Sequence, residues 1–418
     1  MKNQRLGNSI DWILILLYFL LVVMGWLTIY SVTLPNEETS LLDLSQFYGR
    51  QFLFISLSIP IIFVILFVDA KVFERLSFVF YGLGILLLLG LFVFGVEKKG
   101  QTNWYQFGGF GFQPSEFVKT ATALLLAKYL SYAQINLSNF KHQLVAFSII
   151  GLPIVLILMQ PDAGSAMIFL SLLFVLYREG LPSWYLQAGV LFILIFILSL
   201  IVKPLYIVGS IIIFAIIHFI YNKKISRNPF LYGAIVVLFA VFSFSVSHVY
   251  DKVLEPHQKD RINVLIGKDV DLKKEGYNLN QSMIAIGSGG FIGKGYLEGT
   301  QTKGGFVPEN HTDYIFTTVA EEWGFIGSFI VILVFVSLFL RVLYLAEHQK
   351  SKFSRVYGYC VVAYLFMHFF VNIGMLIKLF PTIGVPLPFF SYGGSSLWSF
   401  TLLLFIFIKL DANKVNEW

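Results

Sequence analysis

A single cysteine, Cys360, in 418 residues excludes an intramolecular disulfide and any CxxC metal or redox pair. Seven histidines are scattered without HExxH spacing, so the sequence holds no zinc-protease helix. No stretch fits GxSxG, which leaves a nucleophile-elbow hydrolase without support. Residues 287–295, GSGGFIGKG, look like a phosphate loop. However, Ser288 stands where a Walker A motif needs glycine, and Gly295 where it needs Ser or Thr. Nucleotide-driven transport is therefore not indicated. Charge is also scarce: 13% of residues are Asp, Glu, Lys or Arg, against 57% hydrophobic. That balance belongs to a bilayer protein.

What is present is a succession of apolar segments of about 20 residues, long enough to cross a membrane as helices. They read at 11–32, 50–69, 76–96, 114–132, 143–159, 163–178, 183–202, 204–222, 229–249, 314–343, 356–379 and 390–409. The expected fold is an all-α polytopic membrane protein of about twelve helices, with residues 1–418 forming one integral domain. The segments 143–159 and 163–178 are short, with a re-entrant corner or a tilt expected around Gln160–Gly164. The first segment is too long for a signal-peptide core and no small-residue cleavage site follows it, so it reads as an anchor.

Orientation follows from Lys and Arg in the short loops. With the N-terminus inside, sixteen such residues fall on the cytoplasmic side and four, Arg50, Lys98, Lys99 and Lys203, on the other. Both termini are expected in the cytoplasm. The formal charge of +6 is a topology signal and requires no nucleic acid. One long polar stretch, 250–313, then faces outward as a large extracytoplasmic loop. Residues 251–313 hold 17 of the 54 charged side chains, 8 basic and 9 acidic.

Several motifs sit at these outer ends. QPSEFVK (113–119) places Pro114 in a first helical turn and Glu116 and Lys119 on one face. Charges within a span are costly, about 2.5–3.5 kcal/mol each on insertion scales, and usually point inward and pair. The pair reads either as a brace for the helix end or as the wall of an outward-open cavity. Trp104 suits an aromatic belt or a stacking contact with a sugar or lipid headgroup. In QPDAGSA (160–166), Asp162 reads as a helix N-cap. The glycines of 287–295, with Lys294, either pack a helix closely, form a flexible loop, or cradle a diphosphate on their amides. PTIGVPLPFFSYGGSS (381–396) holds irregular backbone at membrane depth, tolerated only inside protein or beside a watery cavity. Asp313, in HTDYIF, has two readings. It or Thr312 caps the next helix, or it is a partly desolvated general base.

Together these segments resemble the SEDS family (shape, elongation, division and sporulation), which includes RodA, FtsW and SpoVE. The resemblance rests on QPSEFVK, QPDAGSA, QSMIAIGSGGFIGKG (281–295), PENHTDYIFTTVAEEWGFIG (308–327) and PLPFFSYGGSS (386–396). The opening DWILILLYFLLVVMGWLTIYS and the EEWGF run are most similar to RodA. The resemblance implies a peptidoglycan glycosyltransferase that polymerises lipid II at the outer membrane face and releases undecaprenyl pyrophosphate during cell elongation. It implies Asp313 as the catalytic residue. The substrate-binding set would be Trp104, Glu116, Lys119, Arg261, Lys294, His311 and Ser391. Cationic side chains, or a divalent cation such as Mg or Mn, would face the departing pyrophosphate. The implied partners are a class B penicillin-binding protein transpeptidase and other membrane proteins of the elongation machinery.

The sequence departs from the family in three places. Members typically have about ten spans, whereas 183–202, 204–222 and 229–249 stand where one usually precedes the large loop. QPDAGSA replaces the commoner QPDLGTA, and in 378–384 Lys378 stands where a small residue is expected and PTIG where PVTG is usual. Two other function classes fit a polytopic chain: a flippase for lipid-linked wall precursors and a non-catalytic scaffold. A carrier places polar groups near the midplane with access to both sides, whereas these motifs gather at one face.

Overall fold

A bilayer interior offers the backbone no hydrogen-bond partners, so an apolar chain satisfies itself segment by segment, as helices. The computed structural model describes residues 10–33, 40, 43–98, 100–108, 110–221, 229–253, 259, 262–263 and 277–414. In chain order the elements begin with α1 (Trp12–Thr33), α2 (Phe47–Phe67), α3 (Ala70–Arg75) and α4 (Ser77–Phe94). Three short strands follow, β1 (Val96–Lys98), β2 (Gln101–Phe107) and β3 (Phe110–Phe112). Then come α5 (Pro114–Ser131), α6 (Phe140–Leu158), α7 (Ala163–Phe169) and α8 (Leu172–Arg178). Next are α9 (Trp184–Ile201), α10 (Pro204–Tyr221) and α11 (Pro229–His248), which ends in a π turn, Val249–Val253. The chain closes with α12 (Tyr277–Gly289), α13 (Ile315–Glu347), α14 (Lys352–Leu376) and α15 (Gly394–Asn413).

Among the described residues ten helices are long and apolar enough to cross a membrane. Two further expected segments take other forms. Helix α5 carries Glu116, Lys119, Thr120 and Thr122 among its apolar residues, and all four are buried. Residues 163–178 break at Leu170–Ser171 into α7 and α8. The three apolar segments before the large loop are three separate helices of 18, 18 and 20 residues. Lys223, Lys224 and Arg227, expected at their cytoplasmic turn, lie outside the described residues.

Two compact units emerge, Met1–Leu181 with Asn278–Trp418, and Pro182–Tyr277. In the smaller unit α9, α10 and α11 pack around Ile195, Ile207 and Phe239, and the Ser199 and Ser243 hydroxyls meet at 2.8 Å. Most of its other apolar side chains face outward, as expected of helices whose surroundings are lipid.

The larger unit is built around α15, whose Phe400, Leu404, Phe405, Phe407 and Ile408 are fully buried. The Tyr18 and Thr401 hydroxyls meet at 2.9 Å and tie α1 to it. At Gly25 a Cβ would lie 2.4 Å from the Phe390 oxygen, so α1 presses directly on the PLPFF segment.

Two features depart from the loops that the sequence suggests. Residues 96–112 form a three-stranded antiparallel sheet in the order β1-β2-β3, with Tyr105 opposite Phe112 and Gln106 opposite Gly111. Gly100 and Gly108 take positive φ, 77° and 57°, at its turns. The polar stretch 250–313 is partly helical: its 277–289 portion is α12, whose glycine end packs against α13. A Cβ at Gly289 would meet the Ala320 oxygen at 1.9 Å, and one at Gly293 the Glu322 oxygen at 2.2 Å. Helix α13 answers with a break at Gly324 (φ 61°, ψ −154°). There the Phe325 and Ile326 amides donate to the Gly290 and Phe291 oxygens.

Candidate active site

Asp313 is held by its backbone. The Tyr392 amide donates to the His311 oxygen at 2.9 Å. The Ser391 hydroxyl donates to the Thr312 oxygen at 2.7 Å, and Asn372 Nδ2 to the Asp313 oxygen at 2.9 Å. Three successive carbonyls are thus fixed by the last motif and by α14 just as the chain enters α13. The N-cap of α13 is Tyr314, which makes no side-chain cap bond. The reading in which Thr312 or Asp313 occupies the cap position is therefore replaced. Asp313 is half-buried. Its carboxylate lies over Gly384 (φ 71°), where a Cβ would come within 3.3 Å of Oδ2. Both the positive φ and the close approach suit glycine there.

The charged pair of α5 lies deeper. Lys119 Nζ contacts both Glu116 carboxylate oxygens at 2.9 Å and His368 Nε2 at 2.7 Å, and it sits 4.6 Å from the Phe400 ring centre. Glu116 and Lys119 are 3% and 1% exposed, which places them in the protein interior. A third cluster centres on Asp162. One carboxylate oxygen accepts from the Ser165 amide at 2.9 Å, the expected N-cap bond of α7. The other accepts from Asn103 Nδ2 at 2.7 Å, Gln113 Nε2 at 3.3 Å and the Ser165 hydroxyl at 2.8 Å. One buried carboxylate therefore joins the sheet, the start of α5 and the start of α7. Close packing links this corner to Asp313: a Cβ at Gly164 would meet the Ile383 oxygen at 2.6 Å, beside Gly384.

The other expected site residues fall as follows. Trp104, on β2, is half-buried, with Lys98 Nζ 5.1 Å from its ring centre and Gly111 packed against its edge. His311 stacks on Phe47 at 4.2 Å and meets Tyr392 edge-on at 5.7 Å. Ser391 is 4% exposed and fixes backbone, accepting from the Leu387 amide at 2.9 Å while it donates to Thr312. Lys294 pairs with Glu321 at 2.7 Å, and its amide donates to the Glu321 oxygen. The Gly295 amide donates to the Glu322 oxygen. The glycine run is therefore a close-packed helix end, and these amides are already used rather than forming a diphosphate cradle. Arg261 lies outside the described residues. Among the described residues no three His, Cys, Asp or Glu side chains cluster as a metal site.

Comparison with known proteins identifies the family. The family model for the FtsW, RodA and SpoVE cell cycle proteins matches residues 11–215 and 190–416. The chain belongs to the FtsW/RodA/SpoVE family. It is 32% identical over 433 residues to the peptidoglycan glycosyltransferase RodA of Treponema pallidum, covering 98% of this chain and 99% of that one. It is 33% identical over 344 residues to the peptidoglycan glycosyltransferase MrdB of Escherichia coli, covering 82% and 80%. Its fold matches a chain from a structure described as the structural coordination of polymerization and crosslinking by a peptidoglycan synthase complex (TM-score 0.73, 22% identity, 98% and 99% coverage). It also matches the rod shape determining protein RodA of Thermus thermophilus (TM-score 0.62, 22% identity, 98% and 99% coverage).

In this FtsW/RodA/SpoVE protein the sequence overlooked two supports of the site, Asn372 and His368. Both are polar residues four apart in an apolar segment, and that rarity inside a span was the available signal. Glu321, in the EEWGF run, supports a neighbouring loop. It is fully buried and accepts from the amides of Thr300, Gln301 and Thr302 at 2.8–2.9 Å. The sequence does not reveal that the charge serves as a scaffold for the 294–302 loop.

Proposed function

We propose that this chain is a peptidoglycan glycosyltransferase that extends glycan strands from lipid II, with Asp313 as its general base. The observation that carries the assignment is the fixing of the His311, Thr312 and Asp313 carbonyls by Tyr392, Ser391 and Asn372. It holds one half-buried carboxylate in a defined place at the end of the bundle where the motifs meet. Catalysis by a positioned base requires this kind of pre-organisation.

In the reaction Asp313 takes the proton of the acceptor sugar hydroxyl. The oxygen attacks the anomeric carbon of the donor, the bond from that carbon to the pyrophosphate oxygen breaks, and undecaprenyl pyrophosphate leaves. Lys119 and Lys294 are committed to Glu116 and Glu321. Countering charge on the leaving group is left to Arg261, the loop arginine that the family resemblance implies and that lies outside the described residues. Trp104 and His311 offer aromatic faces to the sugars or the lipid headgroup.

The protein is a multi-pass membrane protein with its helix ends joined by ion pairs away from Asp313. Arg341 pairs with Asp11, Arg178 with Glu347, and Lys352 and Arg355 with Glu179. That basic end is assigned to the cytoplasm by the excess of Lys and Arg, which leaves Asp313 and both sugar substrates outside. A class B penicillin-binding transpeptidase is the partner assigned to cross-link the strands. The deciding experiment offers purified protein purified lipid II. Glycan polymer supports the enzyme reading. Transfer of lipid II across a vesicle membrane without polymer would favour the flippase, and neither outcome the scaffold.

A further inference from the structure

We propose that His368 is a positioning residue for the polymerisation, holding the loop that carries Gly384 and Ser391 in register with Asp313. The inference rests on the general-base reading of Asp313. His368 is 2% exposed and lies one helical turn before Asn372 on α14, so both side chains leave the same face. Lys119 spends two of its three protons on Glu116, and its third contact is His368 Nε2 at 2.7 Å. An ammonium has donors only, so Nε2 must present its lone pair and the ring proton sits on Nδ1. Nδ1 then donates to the Pro386 oxygen at 3.1 Å. Asn372 Nδ2 reaches the neighbouring Val385 oxygen at 2.7 Å and the Asp313 oxygen at 2.9 Å.

Two side chains of one helix face therefore grip consecutive carbonyls of a proline-rich segment that has few amides of its own to anchor it. Downstream, Ser391 returns to Thr312; upstream, Gly384 underlies the Asp313 carboxylate. Lys119 fixes the tautomer, the tautomer fixes Pro386, and the loop fixes the base. The Phe400 ring, edge-on to His368 with centres 4.8 Å apart, holds the imidazole plane. His368 touches none of the reacting atoms.

Three substitutions separate the two contacts. His368→Phe removes both while keeping a ring against Phe400. His368→Asn retains an amide near Nδ1 that reaches Pro386 but not Lys119. His368→Gln retains an acceptor near Nε2 for Lys119 but not the Pro386 donor. Each variant is purified whole, its thermal transition recorded, and lipid II polymerisation measured as kcat and KM separately. Misplacing a catalytic group by about 1 Å costs on the order of 10²-fold, so kcat of His368→Phe should fall by about that factor with KM little changed. His368→Asn should recover most of the rate and His368→Gln should not. Equal activity of the Asn and Gln variants, Gln above Asn, or a loss confined to KM overturns the inference, and the Asn–Gln comparison stands even if the Phe variant fails to insert. A wild-type protein without polymerase activity, or an active Asp313→Asn, would instead overturn the base assignment itself.

Discussion

At Asp313 the carboxylate and the backbone have separate duties. The backbone carbonyl is tied to Asn372, so removing the charge need not disturb the fold. Asp313→Asn keeps the shape and the backbone bond but cannot take a proton. Its polymerisation rate should fall about 10²–10⁴-fold, with membrane insertion and thermal stability close to wild type. An Asn variant that polymerises lipid II normally would remove Asp313 from the chemistry. Lys119 behaves differently because it is buried and paired. Truncating one partner leaves the other charge uncompensated, at a cost of about 3–5 kcal/mol. Lys119→Ala should therefore melt well below wild type, whereas Glu116→Gln with Lys119→Met, which buries no net charge, should recover much of that loss. A single variant as stable as the double would show that the pair is not held in a low-dielectric interior.

Among the elements, α13 shows how one residue sets the course of a helix. Its hydrophobic content predicts a span from 314 onward, and the helix does begin at Ile315, but it breaks at Gly324. The break lets Phe325 and Ile326 donate to the 290–291 carbonyls and leaves the Glu321 and Glu322 backbone oxygens to accept from the Lys294 and Gly295 amides. Gly324→Ala would place a Cβ 2.4 Å from the Gly293 nitrogen in a left-handed conformation. Such a backbone state costs about 1–3 kcal/mol for a residue with a side chain, before the overlap is counted. The variant should lose thermal stability and expose 294–302 to proteolysis. Unchanged protection of that loop would mean that the break can close into regular helix without consequence. Glycine content alone indicates only that some close approach or turn is needed. Which backbone approaches, α13 or a diphosphate, depends on a partner distant in sequence.

At the scale of the whole molecule, the placement of the apolar helices was legible because lipid imposes a length and a composition on every crossing. Helices occupy all twelve expected segments, but among the described residues ten are long and apolar enough to cross, since α5 carries buried polar residues and 163–178 is divided in two. Orientation rests on the distribution of Lys and Arg as an expectation. It is testable at Lys303, an exposed residue in the turns before α13. A cysteine there, in a Cys360→Ser background, should react with a membrane-impermeant maleimide from outside cells that lack an outer membrane. Labelling only after lysis would invert the topology. The small sheet at 96–112 escaped the reading because strands of three to seven residues carry too little periodic signal to separate from loop.

The sequence by itself determined the spans, the motifs and the identity of the candidate base, since each is a local pattern of residue type and spacing. It also determined that Glu116 and Lys119 share a face, because α-helical geometry brings residues three apart together. Only the tertiary structure decided what those side chains do. Lys294 braces Glu321, Ser391 braces Thr312, and Asn372 and His368 grip adjacent carbonyls from another helix. The physical reason is that a hydrogen bond is a distance between two atoms. Residues 59 positions apart, as Asp313 and Asn372 are, acquire a distance only when the helices between them have packed.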